Sequence, residues 1–431
     1  MPTDKGSGTM TPQVQKQYIS ILQEELVPAT GCTEPIAIAY AAAKLRQVLG
    51  VAPERVLAEV SGNILKNVKS VVVPNTGGLK GIRAAIAVGI VAGEADRELQ
   101  VISSVPSSSH GAIASYCRDT PIQVACPDTP HILDICLTGW AGQDEATVHI
   151  ADHHSNIVLI RRNGTVLLEK PLEVSDGDGL TDKSCLNLGD ILEFSATVDL
   201  SLVRELLERQ IQCNSAIAAE GLEGDWGANI GSTLLKEYGS DIKVEARAWA
   251  AAGSDARMSG CEMPVVILSG SGNQGITASL PVIRYAKHLG AGEEQLLRAL
   301  LVSDLVTVYQ KAGIGRLSAY CGAISAGVGA GCGIAYLHGA DQEAIAHTIT
   351  NAVAILSGTI CDGAKPSCAA KIAAAVDAGI LGYQMYREGQ SFRGGDGILA
   401  EELSDTIANI GILAREGMRG TDRTILKIMT A

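Results

Sequence analysis

Cys361 and Cys368 bracket the segment Ile360-Cys361-Asp362-Gly363-Ala364-Lys365-Pro366-Ser367-Cys368, and Cys321 lies upstream in Tyr320-Cys321-Gly322. Thiolate is the soft ligand that iron–sulfur clusters require, and three such ligands leave one metal corner free. A free corner is a Lewis-acid site, able to polarise a leaving group. Buried cysteines also serve as small hydrophobes, and no Cys-x-x-Cys pair accompanies these three. A further thiol, Cys32, sits in Thr30-Gly31-Cys32-Thr33-Glu34-Pro35 at a predicted helix start. There the helix dipole favours thiolate, which makes Cys32 a candidate ligand, nucleophile or base.

Three glycine-containing turns carry donors for an anion. Ser61-Gly62-Asn63 leads to Lys66, and Asn75-Thr76-Gly77-Gly78 leads to Lys80 and opens a helix. Ser271-Gly272-Asn273 lies in the loop 269–275, between the apolar run Val265–Leu268 and a helical segment. Such turns aim backbone N–H groups at a carboxylate or phosphate, although each also serves as an ordinary turn. The third lacks the Gly-Lys-Ser/Thr ending of a nucleotide-binding loop and the glycine spacing of a dinucleotide fingerprint. Ser107-Ser108-Ser109-His110 has no assignable acidic partner. His153 and His154 are strand neighbours that point to opposite faces, so they read as surface. Lys365 and Lys80 lack the neighbours of a Schiff-base lysine.

The elements that position these residues read as α+β. The pattern predicts a mainly helical catalytic body formed by residues 11–98 and 198–431, with a small α+β domain inserted at 99–197 and a polar, disordered tail at 1–10. Gln15–Glu25, Ile36–Leu49 and Gly81–Gly93 read as helices, with Thr33 capping the second and Pro35 in its first turn. The inserted block alternates in Thr147–Ile150, Asn156–Ile160 and Thr165–Glu169, with Arg162-Asn163-Gly164 a hairpin turn and Asp176–Gly179 a loop near its far edge. Aromatics are only 3%, whereas 48 residues are glycine, which suits helices whose backbones approach closely. The net charge of −13 argues against nucleic acid or an anionic membrane as partner. Eleven cysteines and no evident signal peptide predict a reducing, cytoplasmic setting. The apolar, glycine-rich stretch Gly322–Leu337 is too short to span a bilayer and reads as a buried helix.

Taken together, Thr30–Pro35, Ser61–Asn63, Pro74–Gly78, Ser269–Gly275, Tyr320–Gly322 and Cys361–Cys368 resemble the L-cysteine desulfidase family, relatives of the iron–sulfur L-serine dehydratases. The resemblance runs from about residue 12 to the end. It implies a [4Fe-4S] cluster with one iron not held by cysteine, and pyridoxal-independent α,β-elimination of L-cysteine to pyruvate, ammonia and hydrogen sulfide. It maps the cluster ligands to Cys321, Cys361 and Cys368, with Cys32 as base or acid, or as a ligand in place of Cys368. The spacing of the last pair departs from the wider gap of the serine dehydratases. On this reading the substrate carboxylate rests on Ser61, Gly62 and Asn63, or on Ser271, Gly272 and Asn273. Asn75 and Thr76 add donors, and Lys66 or Lys80 adds charge. L-serine dehydration and a non-catalytic, redox-sensing cluster protein are the competing expectations. The glycine- and alanine-rich helical surface is compatible with a homodimer.

Overall fold

The structure, a computed structural model, describes residues 10–31, 33–127, 129–172, 181–315 and 318–430. Residues 1–9 of the expected tail, Cys32 and the Asp176–Gly179 loop lie outside the described residues.

The chain opens with α1 (Pro12–Glu25), β1 (Pro28–Thr30), α2 (Thr33–Leu49), β2 (Arg55–Val60), α3 (Gly62–Val68) and α4 (Gly81–Ala92). Next come α5 (His110–Asp119) and the strands β3 (Ile122–Ala125), β4 (Asp134–Ala141), β5 (Asp144–Ala151), β6 (Ile157–Arg162) and β7 (Thr165–Glu169). Helices α6 (Leu188–Thr197), α7 (Arg204–Glu223), α8 (Ile230–Tyr238) and α9 (Ile242–Met258) lead to β8 (Pro264–Val266) and α10 (Gly272–Leu289). The remainder is α11 (Glu293–Ile314), α12 (Gly322–Leu337), α13 (Gln342–Leu356), α14 (Cys368–Arg387), α15 (Leu403–Ile412) and α16 (Arg419–Thr430). The fold is α+β with helices dominant, as expected.

The sheet runs β3-β2-β4-β5-β6-β7, with β2 and β3 parallel and every other pair antiparallel. The Asn163-Gly164 turn joins β6 to β7 with positive φ at both residues (49° and 80°), as a type I′ hairpin requires. The expected domain boundaries move, however. Strand β2 alternates Val56, Ala58 and Val60 inward and enters the sheet between β3 and β4, although its stretch reads as helical in sequence. One core therefore joins α2 and α4 to the sheet, from Ile36 to Ile160. The other joins α1 and α6 to the helices after residue 200, packing Tyr18 and Leu22 with Phe194 and Ile276. The segment 99–197 thus shares one core with 36–90 and gives α6 to the other. The physical reason is that a six-residue strand between two helices is too short for its period to stand out.

Two long-range devices set up the site. Strand β1 pairs antiparallel with β8, Ala29 opposite Val265, which ties the segment before Cys32 to the loop before α10. Helices α12 and α14 touch backbone to backbone: a Cβ on Gly379 would come within 2.1 Å of the Gly327 carbonyl oxygen, and one on Gly331 within 2.5 Å of that of Gly379. The contacts Gly327/Ala375 and Gly331/Gly379 keep the same offset of 48 residues, so the helices run parallel and their N-termini lie side by side. Helix α12 is buried as predicted, and among the described residues no helix is long and apolar enough to cross a membrane.

The main core holds a buried acid. Asp304 on α11 is fully buried, accepts from Gln210 Nε2 at 3.0 Å, and leaves its Oδ2 and the Gln210 Oε1 without partners. Burial pushes its carboxyl up to about 7, against the lowering effect of Gln210. The folded chain therefore holds a proton that the unfolded chain, titrating near ~3.9, has released. Stability is expected to fall as pH rises from about 4 to about 7 on this account. An Asp304→Asn variant keeps the Gln210 bond and offers an amide donor to Gln210 Oε1. Urea melts should show it more stable than wild type by on the order of 2–4 kcal/mol at pH 8, with the difference vanishing near pH 4.

Candidate active site

The three cysteines come together through backbone pairing. An antiparallel bridge sets Tyr320 opposite Ile360; Cys361 N–H donates to the Ala319 carbonyl at 2.6 Å and Cys321 N–H to the Thr359 carbonyl at 3.0 Å. Cys321 stands immediately before α12 and Cys368 begins α14, so the parallel helices bring the third thiol to the same place. All three line one cavity of about 120 Å³ between the two cores, together with Glu34, Lys66, Arg257, Ser271, Asn273, Gln274 and Lys311. That volume holds several water molecules.

Burial pushes the Cys321 thiol up to about 12, and the neighbouring Cys361 and Cys368 add to this against Lys371 and the Ala323 amide. Cys368 is likewise raised by burial and by Cys361, opposed by Lys365 and Lys371. Mutual repulsion of this kind is what a cationic metal centre reverses. Beside the thiols, burial would raise Asp362, but hydrogen bonds from Lys365 and Lys371 overcome it and hold the carboxyl at about 2. The same ion pair keeps Lys371 raised although burial opposes its charge. Gly363 sits at φ +93°, where a Cβ would strike the Lys66 carbonyl oxygen at 2.1 Å; the cysteine loop can approach α3 only with glycine there.

Among the described residues no three His, Cys, Asp or Glu side chains converge on a single ion. A cluster asks something else: each thiolate meets a different iron around a shared cavity, and the donor set is all sulfur. Cys321, Cys361 and Cys368 fit that requirement.

The expected anion turns separate into two kinds. Ser271, Gly272 and Asn273 open α10 at the cavity, and Ser271 makes no side-chain capping bond. Lys66 also reaches the cavity, 1% exposed, with its ammonium 2.5 Å from Asp422 on α16. The others are turn chemistry. Ser61 caps α3 and donates to the Ile132 carbonyl at 2.7 Å, while Gly62 packs against Leu426. Asn63, on the same short helix, is absent from the cavity wall, though its Oδ1 is buried without a partner. Asn75 adopts φ 57° and donates to the Ile102 carbonyl, and Thr76 donates within its own turn to the Val73 carbonyl. Lys80 is exposed and lies outside the cavity wall. Ser61, Asn75 and Thr76 thus hydrogen-bond locally, Gly62 packs against Leu426, and Asn63 and Lys80 lie outside the cavity wall.

Cys32 lies outside the described residues. Of its chain neighbours, Gly31 accepts at its carbonyl from Arg257 Nη2 at 3.0 Å, and Glu34 lines the cavity and is held by Asn67 at 3.2 Å. Arg257 is the residue that sequence reasoning missed. It is buried at the end of α9, donates from Nη1 to Asn273 Oδ1 at 3.2 Å, leaves Nε unpartnered, and forms no ion pair among the described residues. A Cβ on Gly272 would lie 2.3 Å from Nε, so this glycine lets the guanidinium lie against the start of α10. No local sequence signal marks Arg257; a basic residue in a last helical turn is commonplace.

Fold and cavity define a helix-dominated α+β protein with a pocket, ringed by thiols and lined by buried cations, between two cores. The family model described as the serine dehydratase alpha chain matches residues 84–427. A "UPF0597 protein" of Desulfitobacterium hafniense is 58% identical over 412 residues, covering 96% of each chain. Others from Lachnoclostridium phytofermentans and Treponema denticola are 49% and 44% identical, each over 96% of this chain, and over 99% and 97% of their own. The chain belongs to the serine dehydratase alpha-chain family and is a dehydratase-like, lyase-type enzyme.

Proposed function

We propose that the protein catalyses α,β-elimination from a small β-substituted L-amino acid, and that L-cysteine is its substrate, giving pyruvate, ammonia and hydrogen sulfide. The observation that carries this reading is the placing of three cysteines in the same cavity as a buried guanidinium with no ion pair among the described residues and a helix start without a side-chain cap. Elimination needs an anchored carboxylate, a leaving group made better, and a proton acceptor at the α-carbon. Arg257 and the first-turn N–H groups of α10 bind and orient the carboxylate, and Ser271 and Asn273 flank it. Lys66, neutralised by Asp422, contributes less charge than Arg257 and holds the α16 side of the wall. A [4Fe-4S] cluster on Cys321, Cys361 and Cys368 supplies, when bound, an electrophilic iron for the departing sulfur.

Cys32 accepts the α-proton. Its thiolate takes the proton as the Cα–H electron pair becomes the Cα–Cβ double bond and sulfide leaves. The released aminoacrylate tautomerises and adds water, losing ammonia to give pyruvate. A Cys32→Ser variant is expected to keep the visible absorption of a reconstituted cluster and to lose turnover by about 10²–10⁴-fold, the usual worth of a general base. Full turnover with the cluster intact would remove Cys32 from this role. A reducing, cytoplasmic setting, in which thiols stay free to bind metal, suits this reading.

The family match favours a second reading on the same residues, with L-serine as substrate and hydroxide as the leaving group. Anaerobically reconstituted protein, supplied with each amino acid separately while sulfide and pyruvate are followed, distinguishes them. Sulfide and pyruvate from cysteine support the first reading, and pyruvate from serine alone replaces it with the second.

A further inference from the structure

Ser271-Gly272-Asn273-Gln274 is a sequence able to close a capping box, in which the serine bonds the fourth residue's N–H and the glutamine reaches back to the serine's N–H. The fold does not close it. Ser271 makes no side-chain cap bond, and its own N–H is taken by the Leu268 carbonyl at 3.0 Å. Gln274 is 5% exposed and its Oε1 is buried with no partner. The amide lies over Gly322, where a Cβ would meet the Gln274 Cδ and Nε2 at 2.6 Å, and it lines the cavity one residue from Cys321. A buried amide oxygen without a donor is destabilising. With the Ser271 N–H held by Leu268, Gln274 has no cap to close, so the arrangement is one that a ligand donor completes.

We infer that Gln274 is the receptor for the substrate's α-ammonium group, accepting a charge-assisted hydrogen bond at Oε1, and thereby selects α-amino acids over carboxylic acids that lack the amine. The assignment rests on the elimination reading above for the identity of the ligand. Arg257 supplies a cation suited to carboxylate, whereas Glu34, the carboxylate of the wall, is engaged by Asn67 and Thr33. Gln274 is thus a free acceptor beside the thiols. An ammonium fixed there directs the α-carbon of a bound amino acid by a second point, which a carboxylate anchor alone does not do.

The test is calorimetric titration of the full chain, reconstituted anaerobically, with L-alanine and with propionate; both keep the carboxylate, neither has a leaving group, and only the first has the amine. Wild type is expected to prefer L-alanine. Gln274→Met, close in size and without an acceptor, should weaken L-alanine by about 10–100-fold, the worth of one hydrogen bond to a charged group, and leave propionate within about twofold. Gln274→Glu keeps an acceptor and should retain L-alanine binding, which also covers the case in which the methionine variant does not fold. Unchanged L-alanine affinity in Gln274→Met, equal weakening of both ligands, or loss of L-alanine binding in Gln274→Glu would overturn the assignment. If wild type releases no pyruvate from either amino acid yet gives the expected titrations, the ammonium receptor stands and the elimination reading falls.

Discussion

A Cys321→Ser variant is expected to lose the iron, the acid-labile sulfide and the visible absorption that anaerobic reconstitution gives wild type, and pyruvate release with them. Serine offers a hard oxygen donor in place of a soft thiolate, and a ligand set of three has no spare member. Cys361→Ser and Cys368→Ser are expected to behave alike, since the Tyr320–Ile360 bridge and the parallel start of α14 bring all three to one cavity. The sharper control is Cys332, eleven residues along the same helix α12. It is fully buried in the helix packing and absent from the cavity wall that holds the other three thiols, so it is a packing residue rather than a ligand. Cys332→Ser should keep its iron content even if its melting point drops. Retention of iron in Cys368→Ser alone would hand its place to Cys32. Retention in all three variants would remove the cluster from the proposal.

The three thiols were legible in the sequence as candidates because residue type carries their chemistry, although spacing alone left them open to the small-hydrophobe reading. Their convergence was not legible. It depends on a single bridge between residues forty apart and on Gly327, Gly331 and Gly379 letting two helices touch, which in sequence is only a surplus of small residues. The anion turns show the opposite failure. Ser61, Asn75 and Thr76 have the right groups, but Ser, Thr and Asn hydrogen-bond their own backbone as readily as a ligand, and here they do so. Ser271 has the same chemistry but makes no side-chain cap bond and faces the cavity instead. Strand β2 was misread for a related reason. Its six residues lie between the alanine-rich α2 and the seven-residue α3, and only pairing with β3 and β4 declares them a strand. Arg257 carried no mark at all, because its role comes from burial and from Gly272 and Asn273, fifteen and sixteen residues away.

Arg257→Met should raise the KM for L-cysteine by about 100-fold or more, and should leave the protein at least as resistant to heat as wild type. The two halves have one cause. A guanidinium taken out of water is destabilising unless an anion meets it, and among the described residues Arg257 meets the Gly31 carbonyl and the Asn273 side-chain oxygen but no carboxylate. Replacing a buried charge that lacks a counter-ion by an apolar side chain of similar length removes that desolvation penalty. Against this stands the loss of two hydrogen bonds, typically about 0.5–1.5 kcal/mol each and more for a charged donor, so the expected gain in melting temperature is small. For the substrate the signs align: its carboxylate loses a charged partner, and about 2.7 kcal/mol corresponds to 100-fold. A structural arginine would give the reverse pattern, with a lower melting temperature and an unchanged KM. Arg257→Lys separates charge from shape. The ammonium keeps the cation but cannot span Gly31, Asn273 and a carboxylate at once, so partial recovery of KM would assign the remainder to the fork geometry of the guanidinium. Iron content should be unaffected in both variants, which keeps this result independent of the cysteine series. A residue found to weaken the fold and strengthen only the complex is positioned for its ligand, and that result would mark the cavity between the two cores as a binding site rather than a packing flaw.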